Sequence, residues 1–165
     1  MWSEVFFTQA SSDWQLYEHL RQTSFPECHA LHYLQMATEK LGKAYLFAGR
    51  THSKTIRSTH HALTKFLQLA SRNDALQQVI GMTARQLRAH VQQLLPLAYE
   101  VEHLAPTLAH DGPNPEYPWE APPGFFHAPA THEFALIKAL EEPRGYNLIK
   151  PLRIVVNKFE VLHRM

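Results

Sequence analysis

The sequence contains a single cysteine, Cys28, among its 165 residues. One cysteine cannot form a disulfide within its own chain, so the fold has to be stabilised by its core. Proteins of oxidising compartments often rely on disulfides, whereas reducing compartments keep thiols free. The lack of a second cysteine therefore predicts a cytoplasmic protein.

Long apolar runs and a basic leader are missing as well. No Lys or Arg precedes an apolar stretch in the opening segment MWSEVFFTQASSDW. No window approaches the roughly 18 consecutive apolar residues that a membrane span needs. We therefore expect a soluble, unprocessed protein that has no membrane partner.

Neither sign of charge is in excess, because 16 Lys and Arg balance 15 Asp and Glu to a net charge of +1. The summed field of such a chain cannot by itself draw the protein onto nucleic acid. Any contact with RNA would have to be local. The basic segment RTHSKTIR is the local candidate, with Arg50, Lys54 and Arg57 as phosphate contacts; the alternative is an ordinary solvated loop.

Spacings typical of metal sites are also missing, although the chain has 12 histidines. Neither an H-E-x-x-H motif nor a paired Cys/His motif occurs. His29 with His32 and His60 with His61 would approach each other if their helices packed antiparallel, which leaves a histidine metal site as an alternative. We expect no metal and no cofactor. His61 is predicted to be a residue at a helix start that satisfies a nearby backbone or carboxylate group.

Apolar residues at helical spacing are what the sequence does contain, and no alternation typical of strands is present. With 45% apolar residues, the chain predicts one domain, residues 1–165, and an all-α antiparallel bundle of six to seven helices. Caps and breakers suggest the helix limits. The predicted N-terminal caps are Ser11 or Ser12 for a helix over 13–23, Ser58 or Thr59 for a helix over 60–72, Asn73 or Asp74 for a short continuation of it, Thr83 for a helix over 84–104, and Thr131 for a helix over 132–142. Gly49 is predicted to end a helix over 26–48 as a left-handed cap. A turn at Pro143 and Gly145 is predicted before a last helix over 146–164.

The second predicted helix carries two features that have local explanations. Gly42 costs a helix about 1 kcal/mol relative to Ala, so we expect it where another helix packs closely. Glu39 and Lys43 are four residues apart and form an i,i+4 ion pair, worth a few tenths of a kcal/mol if exposed. Both features indicate structural roles.

Residues 106–130 differ in composition from the rest of the chain. They hold seven of the 11 prolines together with the aromatic residues Tyr117, Trp119, Phe125 and Phe126. The prolines oppose regular structure, whereas four aromatic side chains are costly to leave in water. We therefore predict a long ordered arm, packed on its own domain or, alternatively, covering a protein partner or a dimer mate.

Two segments resemble the HEPN superfamily of small helical domains. The first, HALHYLQMATEKLGKAYL, has an A-x-E-K-x-x-K-A pattern, and the second, STHHALTKFLQLA, begins its helix with a His-x-Leu step at His61 and Leu63. Ala62 stands where the family usually has an acidic residue. The resemblance, strongest over residues 29–70, implies an antiparallel bundle, frequent homodimerisation and occurrence in prokaryotic toxin–antitoxin and defence systems.

Active members of that family are metal-independent endoribonucleases with an arginine and a histidine separated by four to six residues, in a site shared across a dimer. Arg85 and His90 are the match in this sequence. An arginine can hold a phosphate while a histidine moves the proton of the 2′-hydroxyl. However, residues five apart on one helix point about 140° apart, so the alternative is two polar side chains on a solvated helix.

The sequence therefore predicts a HEPN-like binding or interaction module without catalytic activity, in a toxin–antitoxin, defence or similar accessory system. It is expected to form a homodimer, with a protein partner from the same system and RNA as further candidates. The alternative is an endoribonuclease that uses Arg85 and His90. A second alternative is a protein that binds a nucleotide or another small ligand under the arm.

Overall fold

The computed structural model describes residues 1–49 and 54–163, except for the side chains of Lys54 and His163. Most of these residues are helical, which confirms the all-α bundle, and none of the helices described is long and apolar enough to cross a membrane. The described ranges contain nine α-helices rather than six or seven, because short helices form in segments predicted as loops. The helices are α1 (Trp2–Leu20), α2 (Glu27–Ala48), α3 (Lys54–Ser58), α4 (Ala62–Ala70), α5 (Asp74–Ile80), α6 (Ala84–Glu102), α7 (Pro106–Ala109), α8 (Ala135–Glu141) and α9 (Pro143–His163).

Helix α1 starts at Trp2 and runs through both serines that were predicted to cap it, so that prediction is wrong. Its buried side, which includes Ala10 and Trp14, packs along α2. The Ser3 hydroxyl donates to the Ala44 carbonyl at 3.0 Å, and Lys40 binds Asp13 at 2.6 Å, so the two helices run antiparallel. Burial of an apolar face outweighs the local preference of serine for a helix start.

Two of the predicted caps are confirmed. The Asn73 side chain accepts a hydrogen bond from the Leu76 backbone N–H at 2.8 Å at the start of α5. Thr83 and Gln86 form a reciprocal capping box at the start of α6. Both caps depend only on residues within one helical turn, so the sequence alone is enough to predict them.

One further element of the prediction is right in position only, and three other predicted limits are wrong. Helix α2 ends at Ala48 with Gly49 as its C-cap, as predicted, but Gly49 has a φ of −70°, so it is not left-handed. Neither Ser58 nor Thr59 starts α4, because Ser58 ends α3 and α4 begins at Ala62. Thr131 ends a short 3-10 helix, and α8 begins only after Phe134, which is buried against Trp119. The predicted turn at Pro143 is the first turn of α9, where a missing N–H costs little.

The predicted arm is ordered, and it contains a small antiparallel hairpin that the sequence did not predict. Strand β1 (Trp119–Ala121) pairs with β2 (Phe125–His127), with Trp119 opposite His127 and Ala121 opposite Phe125. Gly124, in the turn between them, has a φ of +111°, which a side chain would disfavour. Three-residue strands are too short to give a detectable alternation in sequence.

Helix α2 is central to the bundle, with contacts to α1, α3, α4, α6 and α9. Gly42 faces α4 at the closest approach of the two helices. A Cβ placed on Gly42 would overlap the carbonyl group of Ala62. The expectation that Gly42 marks close helix packing is therefore confirmed.

The substitution Gly42→Ala tests how tightly this contact fixes the fold. Alanine favours a helix by about 1 kcal/mol over glycine. However, the added methyl group would overlap the backbone carbonyl of Ala62, which cannot rotate away as a side chain could. We expect a net loss of about 1–3 kcal/mol in unfolding free energy, measured by urea denaturation. His29→Ala, on the exposed side of the same helix, is the control. A Gly42→Ala protein as stable as wild type would contradict the close packing.

Candidate functional site

Arg85 and His90 both lie on α6, which is continuous through them. Arg85 is exposed, whereas His90 is half-buried and borders a small apolar cavity with Phe66 and Pro151. Their helical separation of about 140° directs the two side chains apart. One chain therefore does not bring them together, and the nuclease pair stays a prediction that needs a second chain.

Of the three basic residues predicted to contact phosphate, the structure describes the side chain of one. Arg50 lies outside the described residues, and so does the side chain of Lys54, whose backbone starts α3. Arg57 is exposed, and its guanidinium lies 4.5 Å from the centroid of the Trp2 ring. The described part of the chain places no carboxylate within 4.0 Å of it.

A buried polar cluster lies between α2 and the start of α4. Glu39 accepts hydrogen bonds from Lys43 at 2.6 Å and contacts His60 Nδ1 at 3.0 Å. Lys43 also donates to the Arg57 carbonyl at 3.0 Å. The predicted pair of Glu39 and Lys43 is therefore confirmed, but both side chains are nearly buried, so its loss costs more than that of a surface pair.

Glu102, from the last turn of α6, caps a helix from a distant part of the chain. It is only 3% exposed and accepts the backbone N–H of Thr64 at 2.8 Å, in the first turn of α4. The Thr64 hydroxyl and His61 Nδ1, the latter at 3.3 Å, contact the same carboxylate. The predicted structural role of His61 at a helix start is confirmed. The positive end of the α4 dipole adds to the stabilisation of the buried charge.

The electrostatics of the cluster are clearest at Glu39. Burial alone would raise the pKa of this carboxyl, but its hydrogen bonds to Lys43 and His60, together with their charges, outweigh burial and lower the pKa. Glu39 is thus held ionised in the folded protein.

The histidines predicted as an alternative metal site do not gather. His32 precedes Glu39, the partner of His60, by seven residues of α2, which is about 10 Å of helix. Among the described residues, no group of three His, Cys, Asp or Glu side chains could hold a metal ion. The two carboxylate–imidazole pairs, Glu39 with His60 and Glu102 with His61, instead form hydrogen bonds near the start of α4.

The four aromatic residues of the arm divide into two groups. Trp119 is 6% exposed and packs against Phe134 and His132. The other three point outwards: Phe126 is 82% exposed, Phe125 is 65% exposed and Tyr117 is 57% exposed. One aromatic side chain thus holds the arm on its own domain, and three are presented to solvent.

Charge is strongly segregated along the chain, which the net charge conceals. Residues 40–88 contain nine Lys and Arg and only one acid, Asp74. Residues 89–137 contain no Lys or Arg, and their acids are Glu100, Glu102, Asp111, Glu116, Glu120 and Glu133. A running sum of charge along the sequence would have revealed this division, whereas the total of +1 could not.

Replacing Glu39 by Gln tests the polar cluster. A carboxyl whose pKa is lower in the folded state stabilises the fold fully above its unfolded pKa, about 4.3, and this contribution is lost as the pH falls through the folded pKa. Because a buried hydrogen-bonded partner is removed, we expect Glu39→Gln to lose about 1–3 kcal/mol at pH 7. The difference in unfolding free energy between this variant and wild type should shrink as the pH falls below about 4.3. Thermal or urea unfolding measured over a range of pH checks this.

The matched control is Glu18→Gln, which removes an exposed carboxylate that binds Arg153 at 2.7 Å. Exposed pairs contribute at most about 1 kcal/mol, so this variant should unfold close to wild type. A deficit of Glu39→Gln that stays constant from pH 7 to pH 3 would show that the charge of Glu39 does not stabilise the fold.

No family model, no curated protein and no solved structure matches the chain.

Proposed function

We propose that the chain is a non-catalytic helical binding module, and that its docking surface for a partner protein is the hairpin surface, defined as Tyr117 before β1, Glu120 and Phe126 on one face of the hairpin, and Phe125 on the other face. One observation carries the proposal. Phe125 and Phe126, which are adjacent on β2 and point to opposite faces of the hairpin, are 65% and 82% exposed, although Trp119 at the base of the hairpin is buried. Exposed aromatic side chains on a fixed support are typical of binding surfaces.

The support beneath these phenylalanines favours binding. The Asn114 side chain is buried and accepts the backbone N–H groups of Glu116 and Tyr117, at 3.1 and 2.7 Å. Trp119 then fixes β1 on the domain. Because the backbone is already ordered, a partner loses less free energy in ordering it. Burying a phenylalanine side chain contributes about 1.5–3 kcal/mol.

The charge around the hairpin defines the chemistry of the partner. Asp111 and Glu120 line an open depression of about 510 Å³ next to Pro122 and Pro123, and no Lys or Arg occurs in residues 89–137. A partner with an apolar surface bordered by Lys or Arg fits this surface. A two-fold dimer formed by two hairpins would instead set acid against acid, so we assign the occupant to a different protein.

The resemblance of residues 29–70 to the HEPN superfamily supports a prokaryotic toxin–antitoxin, defence or similar accessory setting for this module. Members without a nuclease pair act there by binding. Arg85 and His90 diverge within one chain, so the nuclease class would require a second chain to complete the pair.

A double substitution, Phe125→Ser with Phe126→Ser, tests the hairpin surface. The protein retained by tagged wild-type chain is identified, purified and titrated by calorimetry. We expect the double variant to bind it at least 10-fold more weakly, since each lost phenylalanine removes roughly 1.5–3 kcal/mol. Glu120→Lys should also weaken binding, and so should added salt. The control is Tyr146→Ser, an equally exposed aromatic residue on α9.

Two outcomes would contradict the proposal. Equal binding by the double variant and wild type would remove the hairpin from the interface. A dimer seen by light scattering and dissociated by the double substitution would assign the surface to a second copy of the chain.

The absence of catalysis has a separate test. Labelled RNA incubated in EDTA with the purified protein should stay intact, because Arg85 and His90 diverge on α6. Cleavage by the wild-type protein that both Arg85→Ala and His90→Ala abolish would establish the nuclease alternative. Cleavage retained in both variants would indicate a contaminating enzyme, and gel analysis of the products distinguishes these results.

A further inference from the structure

Phe125 and Phe126 point to opposite faces of the hairpin, yet both are largely exposed. The register places Phe126 opposite Glu120 and Phe125 opposite Ala121, and neighbouring residues of a strand alternate between the two faces of a sheet. A partner surface packed against one face would cover one phenylalanine and leave the other in water. A ligand that covers both has to lie along the edge of the hairpin.

The edge of β2 that faces away from β1 has no partner in the part of the chain that the structure describes. The sheet there consists of β1 and β2 alone. In an antiparallel pair, alternate residues direct their N–H and C=O groups to the neighbouring strand, and the residues between them direct theirs away. Outside the pairing with β1, no described backbone hydrogen bond uses residues 125–127. This open edge is a template for another strand.

Nothing in the sequence of β2 protects its open edge. Proteins usually protect such an edge with Lys, Pro or a bulge. Strand β2 reads Phe-Phe-His, and its register with β1 is continuous, without a bulge. Prolines flank the other strand instead, since Pro118 precedes β1 and Pro122 follows it, and neither has an N–H to donate. The edge of β2 is therefore the one open to a further strand.

Side-chain contacts hold β2 in place before any ligand binds. The His127 ring stacks on the buried Trp119 ring, with their centroids 5.4 Å apart. The His132 ring contacts both of them edge-on. Because β2 is already ordered, a ligand loses less free energy in fixing it. A two-stranded sheet is only marginally stable by itself, and a third strand would stabilise it.

The charge near the hairpin selects the side chains of an added strand. Neighbouring strands lie about 4.8 Å apart, so a strand beside β2 lies roughly 10 Å from Glu120 on β1. A Lys or Arg side chain is long enough to cross the Phe126 ring, which attracts cations, towards the Glu120 carboxylate. Asp111 lines the same depression, and residues 89–137 contain no Lys or Arg that would repel such a side chain.

We infer that the partner binds the hairpin surface through an extended segment, which adds to the open edge of β2 as a third strand and alternates apolar residues with Lys or Arg. In this mode the main-chain hydrogen bonds supply affinity, and the alternating side chains supply specificity. The apolar side chains cover Phe125 on one face, and the cations cross Phe126 on the other. This inference rests on the proposed function, because it requires the hairpin surface to be the binding site.

Nuclear magnetic resonance with the isotope-labelled full chain tests the inference. The probe is an end-blocked seven-residue peptide, Lys-Val-Arg-Val-Lys-Val-Arg. Two further peptides of this sequence carry backbone N-methyl groups, one at the even positions and the other at the odd positions. Only alternate N–H groups of an added strand point to β2. One methylated peptide should therefore bind at least about 5-fold more weakly, and the other should bind as the unmethylated peptide does.

The resonances of residues 124–128 should shift on titration, and amide protons of β2 should exchange with solvent at least about 5-fold more slowly in the complex. The double substitution Phe125→Ser with Phe126→Ser should abolish these effects, and Glu120→Lys should weaken them. The control is Tyr146→Ser, which removes an exposed aromatic side chain on α9 and should leave binding unchanged.

Two results would overturn the inference and leave the proposed function standing. In the first, both methylated peptides bind as tightly as the unmethylated one, so that side chains alone make the contact. In the second, no peptide binds, although the double variant still loses its partner protein, so that the partner uses a folded surface.

Two other results would also overturn the inference. Equal binding of the peptide by the double variant would place the peptide elsewhere on the chain, and the calorimetric test of the partner protein would then decide the proposed function separately. A dimer that forms without peptide, protects the amide protons of β2 and is dissociated by the double substitution would show that a second copy occupies the edge.

Discussion

The rest of the structure depends on the buried carboxylate of Glu102 at the start of α4. Without it, the Thr64 backbone N–H in the first turn of α4 would lose its hydrogen-bond acceptor, because the N-cap residue of that helix provides no side-chain cap. The contact fixes α4 against α6. At Gly42, where no side chain separates the two helices, α4 packs closely against α2. These two contacts orient the outer side of α4, where Lys65 lies.

Charge of opposite sign is concentrated in different parts of the chain. The hairpin surface is apolar and acidic, whereas residues 40–88 hold nine Lys and Arg and one acid. Helix α6 shows the same division along its length, since Arg85 and Arg88 lie in its first two turns and Glu100 and Glu102 in its last turn.

A feature can be predicted from the sequence when the residues that form it are close together along the chain. The caps at Asn73 and Thr83, the pair of Glu39 and Lys43 and the class of fold depend on neighbours within a turn or on helical periodicity. The start of α4 depends on Glu102, 38 residues beyond Thr64, so local rules misplaced it. The strands of the hairpin, three residues each, are too short to show the alternation of apolar and polar residues that predicts a strand. The full extent of the basic region, residues 40–88, cannot be seen in the net charge of +1, because acids elsewhere in the chain cancel it.

The distant cap also has a consequence for the order in which the chain folds. A nine-residue helix such as α4 is marginal by itself in water. Its stabilising carboxylate arrives only when the chain between Thr64 and Glu102 has closed into a loop, which costs entropy before any contact is gained. Helices α4, α5 and α6 are therefore expected to form as one cooperative unit, and a chain still lacking residue 102 would leave the start of α4 frayed.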